Sequence, residues 1–171
     1  MKLTYQDLLE KMTNMEMLAI PPEKGEMGGN FSSYDRNSSY DPSTDTYSQW
    51  GANRDCDGYI RMEKDRLVAF EMEGPGVIWR IWSANPQEGH IRIYTENEQK
   101  EKMDMPFRKL FERYAYDESR VEWPANFPEL MPILSRGRNR FIPIPFNHYC
   151  KVTLDPGWGE FYHITYTKFP S

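Results

Sequence analysis

The sequence predicts an antiparallel all-β domain, a sandwich or a barrel, with minor helices. Short runs rich in β-branched and aromatic residues alternate with turn residues, which is the pattern of such folds. Helical spacing is confined to the N-terminus and to one insertion between strands. The 171 residues suffice for one domain with its own core, and 15% of them are aromatic, which argues against disorder. We therefore expect a single domain over residues 1–171.

The N-terminal segment has the pattern of a helix. Thr4 and Asp7 have the spacing of a capping box, and Leu8 and Leu9 begin an apolar face that ends before Pro21. Glycine, serine, asparagine, aspartate and tyrosine then predominate over residues 25–58 without any sustained period. This stretch predicts a long loop, and its aromatic residues indicate that the loop packs on the domain.

Seven strands are expected after the loop, with one inserted helix at residues 106–114. Gly74-Pro75-Gly76 is interpreted as a tight connection between two strands rather than as a phosphate loop, because proline lacks the backbone donor that a phosphate loop needs. The predicted strands lie at 59–63, 67–73, 77–83, 91–95, 141–146, 149–154 and 161–168.

Charge and hydropathy exclude several classes of partner. The net charge is −5, with 21 basic and 26 acidic residues mixed along the chain, so nucleic acid is not an expected partner. Neither a signal peptide nor a membrane helix is apparent, which predicts a cytoplasmic protein without a membrane partner. Cys56 and Cys150 lack metal-ligand spacing and are expected to be reduced thiols.

Most candidate catalytic and metal motifs have a simpler structural interpretation. Glu71 and Glu73 share one face of a strand, but residues two apart in a strand usually form a solvated face, so we assign them no catalysis. Residues 53–58 open like a calcium loop, yet Lys64 stands where the bidentate glutamate belongs, which favours an Asx turn. The histidines share no metal motif. No cofactor or metal is expected.

Two groups of residues remain as candidates for ligand binding. One is the polar cluster at residues 31–36, and the other is Arg80 with Trp82 on one face of a strand. An arginine beside a tryptophan on one face suits either a sugar clamp or a packed structural arginine, and both interpretations stay open. We expect the opposite face, which carries Val77, Trp79 and Ile81, to form the core. Arg80 would then face the loop and pair with Asp35.

Five sequence blocks are more informative about the family than composition is. Their order and spacing cover nearly the whole chain. Together they resemble glycoside hydrolase family 172, long catalogued as a domain of unknown function. The Gly-Pro-Gly-Val-Ile run followed by Arg-Ile-Trp is the most distinctive part. The blocks are Ser32-Ser33-Tyr34-Asp35-Arg36, Glu73-Gly74-Pro75-Gly76-Val77-Ile78-Trp79-Arg80-Ile81-Trp82, Ile91-Arg92-Ile93-Tyr94, Ile142-Pro143-Ile144-Pro145-Phe146 and Phe161-Tyr162-His163-Ile164-Thr165-Tyr166.

The resemblance implies a single jelly-roll β-sandwich, the first half of a double-jelly-roll enzyme that assembles into trimers or larger homo-oligomers. It implies retaining hydrolysis of α-linked D-fructofuranose or D-arabinofuranose units by two glutamates. Those glutamates are expected beyond residue 171, in a second jelly-roll domain or subunit, so no catalytic residue is assigned. The matched residues expected to face or support the carbohydrate substrate are Ser33, Tyr34, Asp35, Arg36, Arg80 and Trp82.

A second function class remains open at this point. Jelly rolls also build lectins and capsids, so the chain also suits a non-catalytic module for carbohydrate binding or oligomer assembly.

Overall fold

A computed structural model describes residues 4–97, 99–112 and 128–170. Its one α-helix within those residues, α1, spans Tyr5–Thr13. The Thr4 side chain accepts a hydrogen bond from the Asp7 amide, and the Asp7 carboxylate accepts one from the Thr4 amide, which confirms the capping box. A 3-10 helix, Met15–Ala19, follows α1.

The described residues form thirteen strands, and all their pairings are antiparallel. The all-β prediction is therefore confirmed. The strands are β1 (Met27–Ser32), β2 (Ser39–Asp41), β3 (Thr46–Ser48), β4 (Arg61–Glu63), β5 (Arg66–Glu73), β6 (Gly76–Pro86), β7 (His90–Thr95), β8 (Met103–Pro106), β9 (Ile133–Leu134), β10 (Gly137–Arg140), β11 (Ile144–Phe146), β12 (Tyr149–Leu154) and β13 (Gly159–Lys168).

Two sheets make up the sandwich. The first has the order β1-β13-β6-β10-β9, with β11 also paired to β6, and the second has the order β4-β5-β12-β7-β8. If β1, β5, β6, β7, β8, β11, β12 and β13 are numbered one to eight, the first sheet reads 1-8-3-6 and the second 2-7-4-5. The chain thus passes repeatedly between the sheets in the order of a jelly roll.

The core lies between the inner faces of the two sheets. It is aromatic-rich: Phe70 contacts Phe31 and Phe146 edge-on, and Trp158 contacts Tyr162 in the same way. The 3-10 helix Phe107–Phe111 adds its apolar side chains next to Trp158. Burial of this apolar surface is the main force that holds the sheets together.

The predicted loop at residues 25–58 contains three strands that the sequence pattern did not indicate. β1 pairs along its whole length with β13, while β2 and β3 form a separate, fully exposed hairpin. β1 begins Met-Gly-Gly-Asn, which carries no β-propensity, so its strand state depends on the pairing with β13.

Two other predicted elements differ from the structure. The inserted helix at 106–114 is a five-residue 3-10 helix, Phe107–Phe111, and its predicted end lies outside the described residues. The strand predicted at 141–146 is replaced by β10 and β11, with a break at residues 141–143. The remaining predicted strands are confirmed to within three residues at each end, and the tight connection between β5 and β6 has a cis Gly74–Pro75 peptide.

The expected alternation along β6 was wrong. Arg80 pairs with Thr165 while Ile78 pairs with Tyr166, so an irregularity takes up one extra residue of β6 between them. Before this bulge the core cluster receives Ile78 rather than Val77 or Trp79, although Val77 is also buried; beyond it Ile81 faces the core, as expected. Trp79 is instead partly exposed and donates from Nε1 to the Thr167 hydroxyl at 2.8 Å.

Two further expectations concern the membrane and the thiols. In the described part of the chain, every helix is too short or too polar to cross a membrane. Cys56 and Cys150 are both free thiols, and burial raises the pKa of the Cys150 thiol.

Candidate functional site

A pocket of about 340 Å³ lies on the outer face of the first sheet, and we call it the sheet-face pocket. After the bulge in β6, Arg80 and Trp82 point away from the core. β13 pairs with β6 so that His163 lies directly beside Trp82. The pocket is lined by Arg80, Trp82, Leu134, Ser135, Gly137 and His163.

Arg80 is held in place from one side of its guanidinium group. Its Nε donates to Asn139 Oδ1 at 2.8 Å, and Asn139 is itself buried with its amide bound to backbone carbonyls. The guanidinium carbon lies 5.9 Å from the centre of the Trp82 ring and 5.8 Å from that of Phe141. Burial lowers the pKa of Arg80 from its ordinary value.

His163 forms the opposite side of the pocket. Its ring lies edge-on to Trp82, with the ring centres 5.0 Å apart, and its Nδ1 lies 3.0 Å from Asn30 Nδ2. Because an amide nitrogen donates, Nδ1 is the acceptor, and the neutral ring carries its proton on Nε2. Burial, and then the positive charge of Arg80, lower the pKa of His163.

The hairpin β9–β10 forms the rim. Its two-residue turn, Ser135 and Arg136, has positive φ at both positions. A Cβ on Gly137 would lie 2.2 Å from Trp82 Nε1, so only glycine lets the indole approach this strand so closely.

A second pocket, of about 440 Å³, lies at the loop that precedes β4, and we call it the loop pocket. The polar cluster of residues 31–36 reaches it through Asp35 and Arg36. Its lining consists of Asp35, Arg36, Asn37, Arg54, Asp57, Gly58, Tyr59 and Ile60.

Ser33 and Asp35 use their polar atoms within the chain. The Ser33 hydroxyl donates to the Asp55 carbonyl at 2.8 Å and accepts from the Tyr162 amide at 3.2 Å. One Asp35 carboxylate oxygen accepts from the amide of Asn37 at 3.0 Å, and the other accepts from that of Arg54 at 3.2 Å. Both side chains are buried and fix the loop.

The expected pair between Asp35 and Arg80 is not formed. Each side chain has other partners among the described residues, and the two line different pockets. The physical reason is the strand β1, which places the chain before Asp35 in the edge of the sheet rather than across the face that carries Arg80.

Arg36 and Tyr34 form a local unit. The Arg36 guanidinium lies 3.6 Å above the Tyr34 ring and donates to the carbonyls of Tyr34 and Ser32. Tyr34 remains 47% exposed, so its ring is available to a ligand on the loop side.

The family comparison agrees with the sandwich fold. The model of the GH172 first beta-sandwich domain matches residues 24–171. The chain belongs to glycoside hydrolase family 172. The predicted resemblance is thereby confirmed, and both pockets lie inside the GH172 domain, whereas α1 precedes it. No curated protein matches the chain.

Glu71 and Glu73, which share one face of β5, lie on the outer face of the second sheet, and neither lines either pocket. Glu71 forms an ion pair with Arg61 and accepts from the Tyr149 hydroxyl at 2.6 Å. The hydrogen bond from Arg61 is the main reason that the pKa of Glu71 is lowered. A carboxylate held ionised in this way does not suit a general acid, and Glu73 is exposed.

Sequence reasoning did not assign His163 or the β9–β10 hairpin to a site. His163 stands in the last of the five blocks, but only the register between β6 and β13 brings it beside Trp82. Gly137 has no local signal beyond being a glycine within a strand. The Asx turn predicted at residues 53–58 is not what the Asp55 side chain forms: its Oδ1 accepts from the amide of Asp35, twenty residues away, at 2.8 Å. The described residues contain no cluster of three or more metal-ligating side chains.

Proposed function

We propose that this GH172 domain binds an α-linked furanoside of the D-fructofuranose or D-arabinofuranose type in the sheet-face pocket, as the first half of a hydrolase. The observation that carries the proposal is the half-buried indole of Trp82 between Arg80 and His163. An indole face accepts the apolar C–H face of a sugar ring. The pocket adds polar groups that can orient hydroxyls, namely the Arg80 guanidinium, the His163 ring and Ser135.

The catalytic glutamates are proposed to come from outside this chain. Retaining hydrolysis needs two carboxyl groups about 5 to 5.5 Å apart. Among the described residues, the lining of the sheet-face pocket contains no carboxylate, and the loop pocket has Asp57 beside Asp35, both of whose oxygens accept backbone amides. These observations support a second jelly-roll domain or subunit as the source of both glutamates, within a homo-oligomer.

Binding is tested by titrating the chain with methyl α-D-arabinofuranoside and methyl α-D-fructofuranoside while recording amide NMR spectra. We expect shifts around Trp82 and His163, and loss of binding in Trp82→Ala. Trp50→Ala is the matched control, because Trp50 is 82% exposed beside the separate hairpin β2–β3. A loss of binding in Trp50→Ala with full binding in Trp82→Ala would refute the assignment.

Catalysis is tested separately. The purified chain should not hydrolyse p-nitrophenyl α-D-arabinofuranoside or fructofuranosyl disaccharides above background, because neither pocket offers two free carboxylates. Turnover by the chain alone that disappears in Glu71→Gln or Glu73→Gln would show that the second sheet carries the active site.

A further inference from the structure

Arg80 has a guanidinium fork that the described residues do not fill. Nε is bound to Asn139, but no described residue accepts a hydrogen bond from either terminal nitrogen, and no described carboxylate forms an ion pair with it. Three other arginines of the domain differ in this respect: Arg61, Arg92 and Arg108 each form ion pairs with acidic side chains. A partly buried cation without a counter-charge is unfavourable unless a ligand supplies one.

The described surroundings of Arg80 neither neutralise its positive charge nor expose it fully to water. The pocket lining contains no acidic residue in the part of the chain that the structure describes, and the neutral ring of His163 offers a proton on Nε2 rather than a second charge. Trp82 and Phe141 flank the guanidinium and shield it from water. In such a site the attraction for an anion is less screened than on the open surface.

The number and shape of the donors indicate which anion fits. A guanidinium fork matches a carboxylate with two parallel hydrogen bonds. A phosphate dianion calls for more than one cation, and Arg136 at the tip of the rim's turn is exposed and lies outside the described lining of the pocket. The single fork beside an indole therefore matches a ligand with one negative charge and an apolar ring face.

We infer that the sheet-face pocket selects a furanoside that carries a carboxylate, with the carboxylate on the Arg80 fork and the sugar ring on Trp82. The inference rests on the proposed function of the pocket in furanoside binding and specifies its substrate class. His163 Nε2 and the Ser135 hydroxyl then form hydrogen bonds with the hydroxyl groups of the sugar.

The test compares two ligands that differ only in charge. Methyl α-D-arabinofuranoside and the same furanoside oxidised to a carboxylate at its exocyclic carbon are titrated into the chain under identical salt. We expect the acidic ligand to bind about tenfold more tightly or better, in line with charge-assisted hydrogen bonds. Added salt should weaken only the acidic ligand.

Three variants test which arginine is responsible for the preference. Arg80→Gln should bring the acidic ligand down to the affinity of the neutral one, while Arg136→Gln, which removes the same charge from the exposed rim, should keep the preference. Arg80→Lys retains the charge without the fork and is expected to keep only part of the preference, which covers the case in which Arg80→Gln fails to fold.

The outcomes separate the two proposals. Equal affinity for both ligands overturns the carboxylate inference and leaves furanoside binding intact. Binding of neither ligand overturns both. A preference that survives in Arg80→Gln, or is lost in Arg136→Gln, shows that general charge attraction rather than the Arg80 fork is responsible.

Discussion

Asp35 illustrates how a residue that looks ready for ligand binding can be occupied by its own backbone. Its two carboxylate oxygens accept the amides of Asn37 and Arg54, and its side chain is 7% exposed. With Arg80 as a partner, its removal would have had little effect on stability. With two backbone amides as partners, in partly buried hydrogen bonds, removal takes the acceptor from both donors.

We predict that Asp35→Ala lowers the free energy of unfolding by about 2 kcal/mol or more, because two amides lose a charged acceptor. Urea unfolding measured by circular dichroism checks this. Asp41→Ala is the control: Asp41 caps the amide of Ser43 in the same way, but in the exposed hairpin, so its effect should be much smaller. An equal, small effect of both substitutions would contradict the structural role of Asp35.

The lowered pKa of His163 predicts that the stability of the fold depends on pH. Its pKa in the folded chain lies below the ordinary value of about 6.5, because burial and Arg80 disfavour the charged ring. The unfolded chain therefore binds this proton more readily. The stability from the neutral ring is fully present above pH about 6.5 and is lost as the pH falls from there towards the folded pKa.

The measurement is the free energy of unfolding from pH 7.5 to 5 for the wild type and two variants. His163→Gln should reduce the loss of stability on acidification. His148→Gln, which removes an exposed histidine, should leave the wild-type dependence in place. If both variants behave alike, His163 is not the group responsible.

Strand β10 is the element that sets the shape of the sheet-face pocket. In Gly137→Ala the new Cβ would meet the rigid indole of Trp82 at 2.2 Å, so the ring must move. We predict that this variant folds but loses furanoside binding, with a changed indole N–H resonance of Trp82. Gly28→Ala in β1 is the control, because its Cβ would meet only the Tyr166 carbonyl at 3.9 Å. Wild-type binding by Gly137→Ala would show that the indole position is irrelevant.

The strands that sequence reasoning found are those with a local apolar pattern. β5, β7 and β12 carry such runs, and their predicted bounds agree with the structure to within one residue. β1 has none, and it becomes a strand only because β13, more than a hundred residues later, pairs with it. β-propensity is a property of the local sequence, so it does not reveal a pairing between strands this far apart in the chain.

The prediction of which face of β6 is buried was wrong for a related reason. Alternation predicts the core face of a regular strand, but the irregularity between Ile78 and Arg80 adds a residue and reverses the pattern. The prediction that Arg80 and Trp82 share a face with each other is nevertheless consistent with the pocket that both line. The pocket itself needed the register with β13 and the position of β9–β10, which no local pattern specifies.

Considered as a whole, the molecule leaves a run of apolar side chains uncovered near its N-terminus. Met15 and Leu18 are each more than 70% exposed, and Ile20 and Met27 more than half. Exposed apolar patches promote association. We predict self-association at low micromolar concentration, measured by light scattering.

Leu18→Ser should reduce this association, whereas Lys24→Ser, a polar change in the same segment, should not. A soluble monomer over the whole concentration range would count against a missing partner domain or subunit.

The position of β13 also determines when the first sheet can form. β13 lies between β1 and β6, and Phe31 in β1 is paired with Ile164 in β13. As the ribosome extends the chain, β1 leaves the exit tunnel early and has no strand to pair with until residues 159–168 are made. Pairings this far apart in sequence form slowly, because a long loop must close first. Until then β1 remains an unpaired, glycine-containing segment, so the first sheet is completed only after the last strand of this domain has been made, and a nascent chain stalled before residue 159 cannot assemble the face that carries Trp82 and His163.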